Sequence, residues 1–440
     1  MNITQLIVEE VRCFADRQKF EIRPLTFLVG ENSTGKTTAL ACFQVLANYL
    51  SSGELDFNLY PHSMGIFKDI VRKSRKSEKT FSLGFGIKTD KENIDCTVKF
   101  SEKQGGLEPT VKTVSIRYTD GEIFFKNVSK DERAPKFSVT QANGNQFYVD
   151  VPSGRLEIFS PFRLLSGLAG REYGDQHDEY SGLAAYVEEK YKRSKWILGW
   201  TDMDILTTFS TAPVRSRPKR TYDPTREFDD PEGSDVPMRL MRIEATKKSA
   251  WQSLKEQLIE FGKSSGLFQN IEINNLGRSM GAPFQLRVKV RGPNSNIMDV
   301  GYGVSQILPI LVQVLDYSTS RRNQYAMPES AFFLLQQPEV HLHPKAQAEL
   351  SSLLSKLANE GSQSFIVETH SDYMIDRARI EIMKGNISKE DVSLIYLEPK
   401  KNVVKVHNIS FDNMGNMIGV PPHFRDFFLH ESSRLLGFED

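Results

Sequence analysis

Gly30-Glu31-Asn32-Ser33-Thr34-Gly35-Lys36-Thr37 is the stretch on which the reading of this chain turns. It satisfies G-x-x-x-x-G-K-[ST] at every fixed position. Leu25-Thr26-Phe27-Leu28-Val29, just before it, is a short apolar run of the kind that forms a buried parallel strand. Thr38 to Leu50, just after it, has a helical pattern. Glycines allow backbone N–H groups to curl round an anion, and the helix that follows aims its positive end at the same point. Gly30, Asn32, Ser33, Thr34, Gly35, Lys36, Thr37 and Thr38 are therefore expected to line a triphosphate site. Lys36 would neutralise the β and γ oxygens, and the Thr37 hydroxyl would ligate Mg²⁺. The stretch predicts a nucleoside triphosphate as ligand.

The rest of the chain is long enough for a large core divided into lobes, at 440 residues. Its 56 basic and 56 acidic side chains cancel, so any nucleic-acid surface must be local. Cys13, Cys42 and Cys96 lie far apart with no metal spacing, which fits a reducing compartment. No apolar run approaches the roughly 20 residues of a membrane helix, and Met1 to Val11 lacks the features of a signal peptide; a cytoplasmic protein is expected. Phe81 to Val151 alternates apolar and polar residues, with a turn signal at Asp120-Gly121, and reads as short antiparallel strands. Tyr180 to Leu206 and Met238 to Phe261 read as helical, separated by a Pro- and Asp-rich passage. Strands follow at Ile271–Ile273 and Phe284–Val290, and the last third is α/β. The expected division is a first head segment at 1–60, a β lobe at 61–155, a helical insertion at 156–265 and a second head segment at 266–440.

Three passages in the last third carry chemistry. Ala331-Phe332-Phe333-Leu334-Leu335 leads to Gln336-Gln337-Pro338-Glu339, so an apolar strand delivers polar groups at its C-terminal edge, where α/β sheets bind ligands. Phe365-Ile366-Val367-Glu368-Thr369-His370-Ser371 repeats the design and ends in a histidine within reach of a γ-phosphate. Gly301-Tyr302-Gly303-Val304-Ser305-Gln306 precedes both, with Ser305 expected at a helix N-cap and Pro309 in the first turn.

The order of phosphate loop, GYGVSQ, LLQQPEVHLHP and VETHSD resembles the ATP-binding-cassette ATPases related to RecF and the structural-maintenance-of-chromosomes proteins. It is similar in particular to the bacterial group that includes the overcoming-lysogenisation-defect ATPases and the ATPase subunits of anti-phage systems such as Septu. Ala212-Pro213-Val214-Arg215 and Pro218-Lys219-Arg220-Thr221-Tyr222 resemble a passage common in that group. The resemblance implies an α/β P-loop head split by a β-rich lobe and a helical insertion. By position, Gly301, Gly303, Ser305 and Gln306 match the signature loop that completes the nucleotide site of a second protomer. Gln336 takes the place of the Mg²⁺-ligating acid, Gln337 that of the catalytic glutamate, and His370 that of the switch histidine. The implied assembly is a head-to-tail dimer, or a larger oligomer, round ATP and Mg²⁺. It would grip or sense DNA and regulate a separate HNH-type nuclease. The residues after His370 hold no Asp-x-Asp, so a fused TOPRIM nuclease is not expected.

Both acids of the family pattern are amides here. A glutamine keeps an oxygen but takes no proton at any useful pH, and loss of a general base costs about 10²–10⁴-fold in rate. Slow hydrolysis is expected, with Glu339 and Glu368 as the carboxylates able to restore some activity. A RecF-like repair motor and an inert ATP-stabilised scaffold are the alternatives. Among the remaining residues, His341 and His343 are expected to pack structurally, and Arg12 is weighed as a nucleotide contact. Arg72 to Lys76 and the cluster Arg215, Arg217, Lys219 and Arg220 are weighed as nucleic-acid or partner contacts.

Overall fold

The computed structural model describes residues 2–52, 55–73, 79–88, 93–103, 106–118, 121–127, 136–140, 146–150, 206–224, 230–278, 281–323, 330–422, 424 and 434. Among them, strands β1 (Asn2–Glu9), β2 (Gln18–Glu21) and β3 (Leu25–Gly30) come first, followed by helix α1 (Lys36–Ser52). The alternating stretch forms β4 (Thr80–Lys88), β5 (Asn93–Glu102), β6 (Pro109–Tyr118), β7 (Gly121–Asn127), β8 (Lys136–Thr140) and β9 (Gln146–Asp150). After β10 (Leu206–Thr211) come α2 (Val236–Thr246), α3 (Lys248–Ser265) and the strands β11 (Asn270–Asn275), β12 (Phe284–Lys289) and β13 (Ser295–Asn296). The last third holds α4 (Tyr302–Asn323), β14 (Ser330–Gln336), α5 (Pro344–Asn359), β15 (Gln363–Glu368), α6 (Asp372–Met383), β16 (Val392–Lys400), β17 (Val403–Phe411) and β18 (Met417–Ile418).

The sheet that carries the phosphate loop has the order β10-β14-β15-β3-β16-β17-β18. Its first five strands are parallel, so their C-terminal ends share one edge. The composition of β3 requires this position. Leu25 to Val29 are buried without a break, and only a strand covered on both faces tolerates that. Leu25, Phe27 and Val29 enter one core with Leu254 of α3, Ile307 of α4, Leu350 of α5 and Met374 of α6. Leu28 enters the opposite core with Leu40 and Phe43 of α1 and Phe85 of β4. Phe43 is the joint between the two large sheets: its ring centroid lies 5.1 Å from that of Phe85 and 4.9 Å from that of Phe332 on β14. The fold is thus α/β, a P-loop head with a β-rich lobe clasped to it through α1.

Sheet pairing moves two of the expected boundaries. The lobe sheet has the order β2-β1-β4-β5-β6-β7-β8-β9, so β1 and β2 belong with the lobe although they lie within 1–60. The reason is antiparallel pairing of β1 with β4 from Asn2↔Lys88 to Glu9↔Ser82, which only the folded chain brings about. β10, within the span expected to be helical, instead joins the head sheet parallel to β14, from Leu206↔Ser330 to Thr211↔Leu335. The helical reading of 180–205 lies outside the described residues. The run expected over Met238 to Phe261 is two helices that break at Lys247, whose φ of −134° and ψ of 66° are not helical. Helix α4 starts at Tyr302, so Pro309 sits in its interior and not in its first turn. Gly233, with φ 78°, lies against that proline: a Cβ there would come within 2.4 Å of the Pro309 Cβ.

Candidate functional site

The phosphate loop keeps its glycines for lack of room. Gly30 has φ 147°, and a Cβ would lie 2.7 Å from the Leu397 carbonyl oxygen and 2.9 Å from Thr34 Oγ1. Gly35 has φ 92°, and a Cβ would meet Cys13 Sγ at 2.7 Å and Phe14 Cζ at 2.8 Å. Thr34 donates its hydroxyl to the Glu31 carbonyl, which closes the loop. Lys36, only 4% exposed, donates Nζ to the carbonyls of Gly30 at 3.0 Å and Glu31 at 2.7 Å. Burial pulls its pKa down, opposed by the charges of Glu368 and Glu339. Asn32, Ser33 and Thr37 are exposed. Arg12 donates to Thr38 Oγ1 at 3.2 Å and to the Met64 carbonyl at 3.0 Å, tying the start of α1 to the segment before the lobe. It therefore braces the loop from behind.

At the C-terminal edge of the sheet, register places Gln336 beside Glu368 and Glu368 beside Leu28, two residues before Gly30. Thr37 donates its hydroxyl to both Glu368 oxygens, at 2.9 and 3.2 Å. Gln336 donates Nε2 to the same carboxylate at 3.4 Å. Gln337 has φ 40° and donates its N–H to the Glu368 carbonyl at 2.8 Å. Glu339, 7% exposed, accepts the His370 main-chain N–H on Oε1 at 2.8 Å, while its Oε2 is buried with no hydrogen-bond partner among the described residues. Burial raises the Glu339 pKa, against the pull of its hydrogen bonds and of Arg215. The exposed His370 ring is held below its usual pKa by partial burial and by Lys36. Lys36, Thr37, Gln336, Gln337, Glu339, Glu368 and His370, scattered in the sequence, thus meet at one edge. Its oxygen donors are of the hard type that suits Mg²⁺.

The Gly301–Gln306 turn packs against the segment that follows β14. Gly301 and Tyr302 are exposed, and Gly303 is pressed against the segment after β14: a Cβ there would sit 2.7 Å from the His341 carbonyl oxygen. The Tyr302 ring meets the His341 ring edge to face at 4.7 Å. Ser305 does not cap the helix. It lies within the first turn, is 6% exposed, and donates its hydroxyl to its own Tyr302 carbonyl at 2.8 Å. Gln306 is 2% exposed. The surface this turn presents outward is therefore made by Gly301 and Tyr302. His343 caps α5 by accepting the Lys345 N–H, and Ser371 caps α6 by accepting the Met374 N–H.

The basic cluster divides. Arg217 and Lys219 are exposed, and Arg220 forms a two-pronged pair with Asp299 at 2.7 and 3.0 Å, just ahead of Gly301. Arg215 is no surface cation. It is 1% exposed and donates Nη2 to the carbonyls of Gln336 at 3.1 Å and Gln337 at 3.3 Å. Burial lowers its pKa to about 10, with Glu339 and Tyr302 opposing. Sequence reasoning missed this role because the neighbouring side chains reverse the usual rule: Val214 is 72% exposed. The available signal was position. Arg215 follows closely on Thr211, the end of β10, and β10 lies beside β14. Of the stretch Arg72 to Lys76, Arg72 donates to the Cys13 carbonyl at 3.5 Å, and 74–76 lie outside the described residues.

The family described as "AAA ATPase domain" matches residues 232–375, about a third of the chain, which contains the signature turn, the Gln336–Glu339 passage and His370. No curated protein matches in sequence. Among solved structures, an SMC head bound to the C-terminal winged-helix domain of ScpA aligns with a TM-score of 0.45 and 11% identity, over 94% of this chain and 98% of that one. An SMC head with an extended coiled coil, bound to the C-terminal domain of ScpA and derived from Pyrococcus furiosus, aligns at 0.41 and 13%, over 99% and 98%. The SMC head domain from Thermotoga maritima aligns at 0.36 and 13%, over 92% and 98%. No helix among the described residues is long and apolar enough to cross a membrane.

Proposed function

We propose that this chain is an ATP-binding switch ATPase that hydrolyses its nucleotide slowly. The observation that carries the reading is the meeting of the phosphate loop with amides at 336 and 337, on the edge where parallel strands end. Lys36 and the loop amides would take the β- and γ-phosphates, and Thr37 with the Gln336 side-chain oxygen would face the metal. Mg²⁺ supplies charge neutralisation of the triphosphate when bound. Gln337 orients but does not deprotonate water, which removes the general base. His370, exposed and beside Lys36, would read the γ-phosphate.

Two copies then close on shared nucleotide, with the outward face of Gly301 and Tyr302 as the contributed surface, and ATP occupancy sets assembly. The order of motifs across the chain supports placing this switch in a bacterial anti-phage complex, where it grips or senses DNA and governs a separate HNH-type nuclease. The test is direct. Purified chain should bind ATP, assemble further with it, and turn it over well below the 1–10³ s⁻¹ usual for enzymes. Fast turnover stimulated by DNA would replace this reading with a repair motor. Native copurification, followed by nuclease assay with and without ATP, tests the defence role; a complex without nuclease activity in either state would refute it.

A further inference from the structure

Glu368 stands where the chemistry of a triphosphate site needs an acid, although it lies on a different strand from the one expected to supply it. Three observations converge on it. Its carboxylate is 4% exposed and is contacted by the Thr37 hydroxyl on both oxygens and by the Gln336 amide, all uncharged donors. No salt bridge reaches it among the described residues: Lys36 Nζ, whose charge acts on Glu368, is itself engaged by the Gly30 and Glu31 carbonyls. A buried carboxylate whose direct hydrogen-bond donors are all neutral is costly, and a directly bound cation relieves that cost. Finally, Gln336 donates to Glu368 from the register position directly beside it. An acid at 336 would put two carboxylates within about 3.4 Å, a like-charge pair that cannot both stay ionised.

We propose that Glu368, delivered by β15 next to the phosphate loop, is the carboxylate that holds the nucleotide's divalent cation, with Gln336 serving as the amide that orients it. Acid and amide have exchanged places between adjacent strands. The inference rests on the ATP-binding reading and adds the charged ligand which that reading lacks, since Thr37 and Gln336 together bring no negative charge to Mg²⁺. Thr37 reaches both Glu368 oxygens directly, so the carboxylate and the Thr37 hydroxyl meet where β3 and β15 end.

The experiment measures ADP affinity of the full chain in Mg²⁺ and in EDTA, and counts bound Mn²⁺ by electron paramagnetic resonance. Glu368→Gln keeps the shape and the Thr37 contact, and its thermal melt reports folding. The wild type should bind ADP more tightly with metal, and Glu368→Gln should lose about tenfold or more of that gain together with its bound Mn²⁺, while affinity in EDTA does not fall, since the change removes a negative charge beside the phosphates. Gln336→Glu added to Glu368→Gln should return both, because the acid is back on the neighbouring strand. Retention of the metal gain and of bound Mn²⁺ by Glu368→Gln would overturn the assignment. Failure of the double variant to recover them would overturn the exchange of roles. Absence of ADP binding to the wild type, with or without metal, would refute the nucleotide reading itself.

Discussion

His62 gives the molecule an acid-sensitive joint near the phosphate loop. Its ring is 3% exposed and neither ring nitrogen has a hydrogen-bond partner among the described residues. Burial therefore disfavours the imidazolium and lowers the pKa from 6.5 to about 4. The unfolded chain binds this proton more readily than the folded one, so stability is intact above pH 6.5 and is lost as pH falls towards 4. The full gap corresponds to about 3 kcal/mol, of which roughly 2 kcal/mol should be gone at pH 5. The carboxyls of Glu339 and Glu244 have raised pKa values and act in the opposite sense over part of this window. Comparison with His62→Leu, similar in volume and unable to titrate, cancels their contribution. Equilibrium urea unfolding at pH 7 and pH 5 should show the wild type losing about 2 kcal/mol more than the variant. The same titration should weaken ADP binding, because Met64, two residues on, accepts from the Arg12 side chain that also holds Thr38. Equal losses in the two proteins, within about 0.5 kcal/mol, would refute the reasoning.

Three further outcomes follow from the geometry of the loop and the strand ends. Gly35→Ala combines a left-handed φ of 92° with a Cβ 2.7 Å from Cys13 Sγ, and should cost about 2–5 kcal/mol and abolish ADP binding; unchanged melting and affinity would show that the loop relaxes freely. Gln337→Glu should raise ATP turnover by about 10²–10⁴-fold, and an unaltered rate would mean that the missing base does not limit hydrolysis. Arg215→Ala removes the donor to the Gln336 and Gln337 carbonyls and should destabilise by about 2 kcal/mol in urea unfolding, whereas Val214→Ala beside it should stay within about 0.5 kcal/mol. Similar costs for the two would contradict the burial of Arg215.

Much of the head could be read locally. The apolar run Leu25–Val29, the glycines at 30 and 35 and the helical pattern after Thr37 each follow from short-range physics, and all three fall where the chain folds that way. The antiparallel run was equally legible, because period-2 alternation and the turn signal at Asp120-Gly121 are local features, and β6 pairs with β7 from Thr113↔Lys126 to Tyr118↔Gly121. The polar ends of the last two core strands, at Gln336 and Glu368, were visible as interruptions of apolar runs.

Pairing order was not legible in this way. No local pattern tells β1 to seek β4 over β3, or β10 to lie outside β14, since both choices depend on contacts between segments far apart in the chain. The site depends on the same order. β15 enters between β14 and β3, and that neighbour relation alone brings the Glu368 carboxylate to Thr37 and turns Gln336 into its donor. Arg215 is buried and Val214 exposed for a related reason: the Gln336 and Gln337 carbonyls that accept from the guanidinium come within its reach only in the folded sheet. The sequence determined which ligand the loop is shaped for, because that chemistry resides in consecutive residues. Which side chains serve it was decided by the folded sheet, because the strands that supply them become neighbours only there.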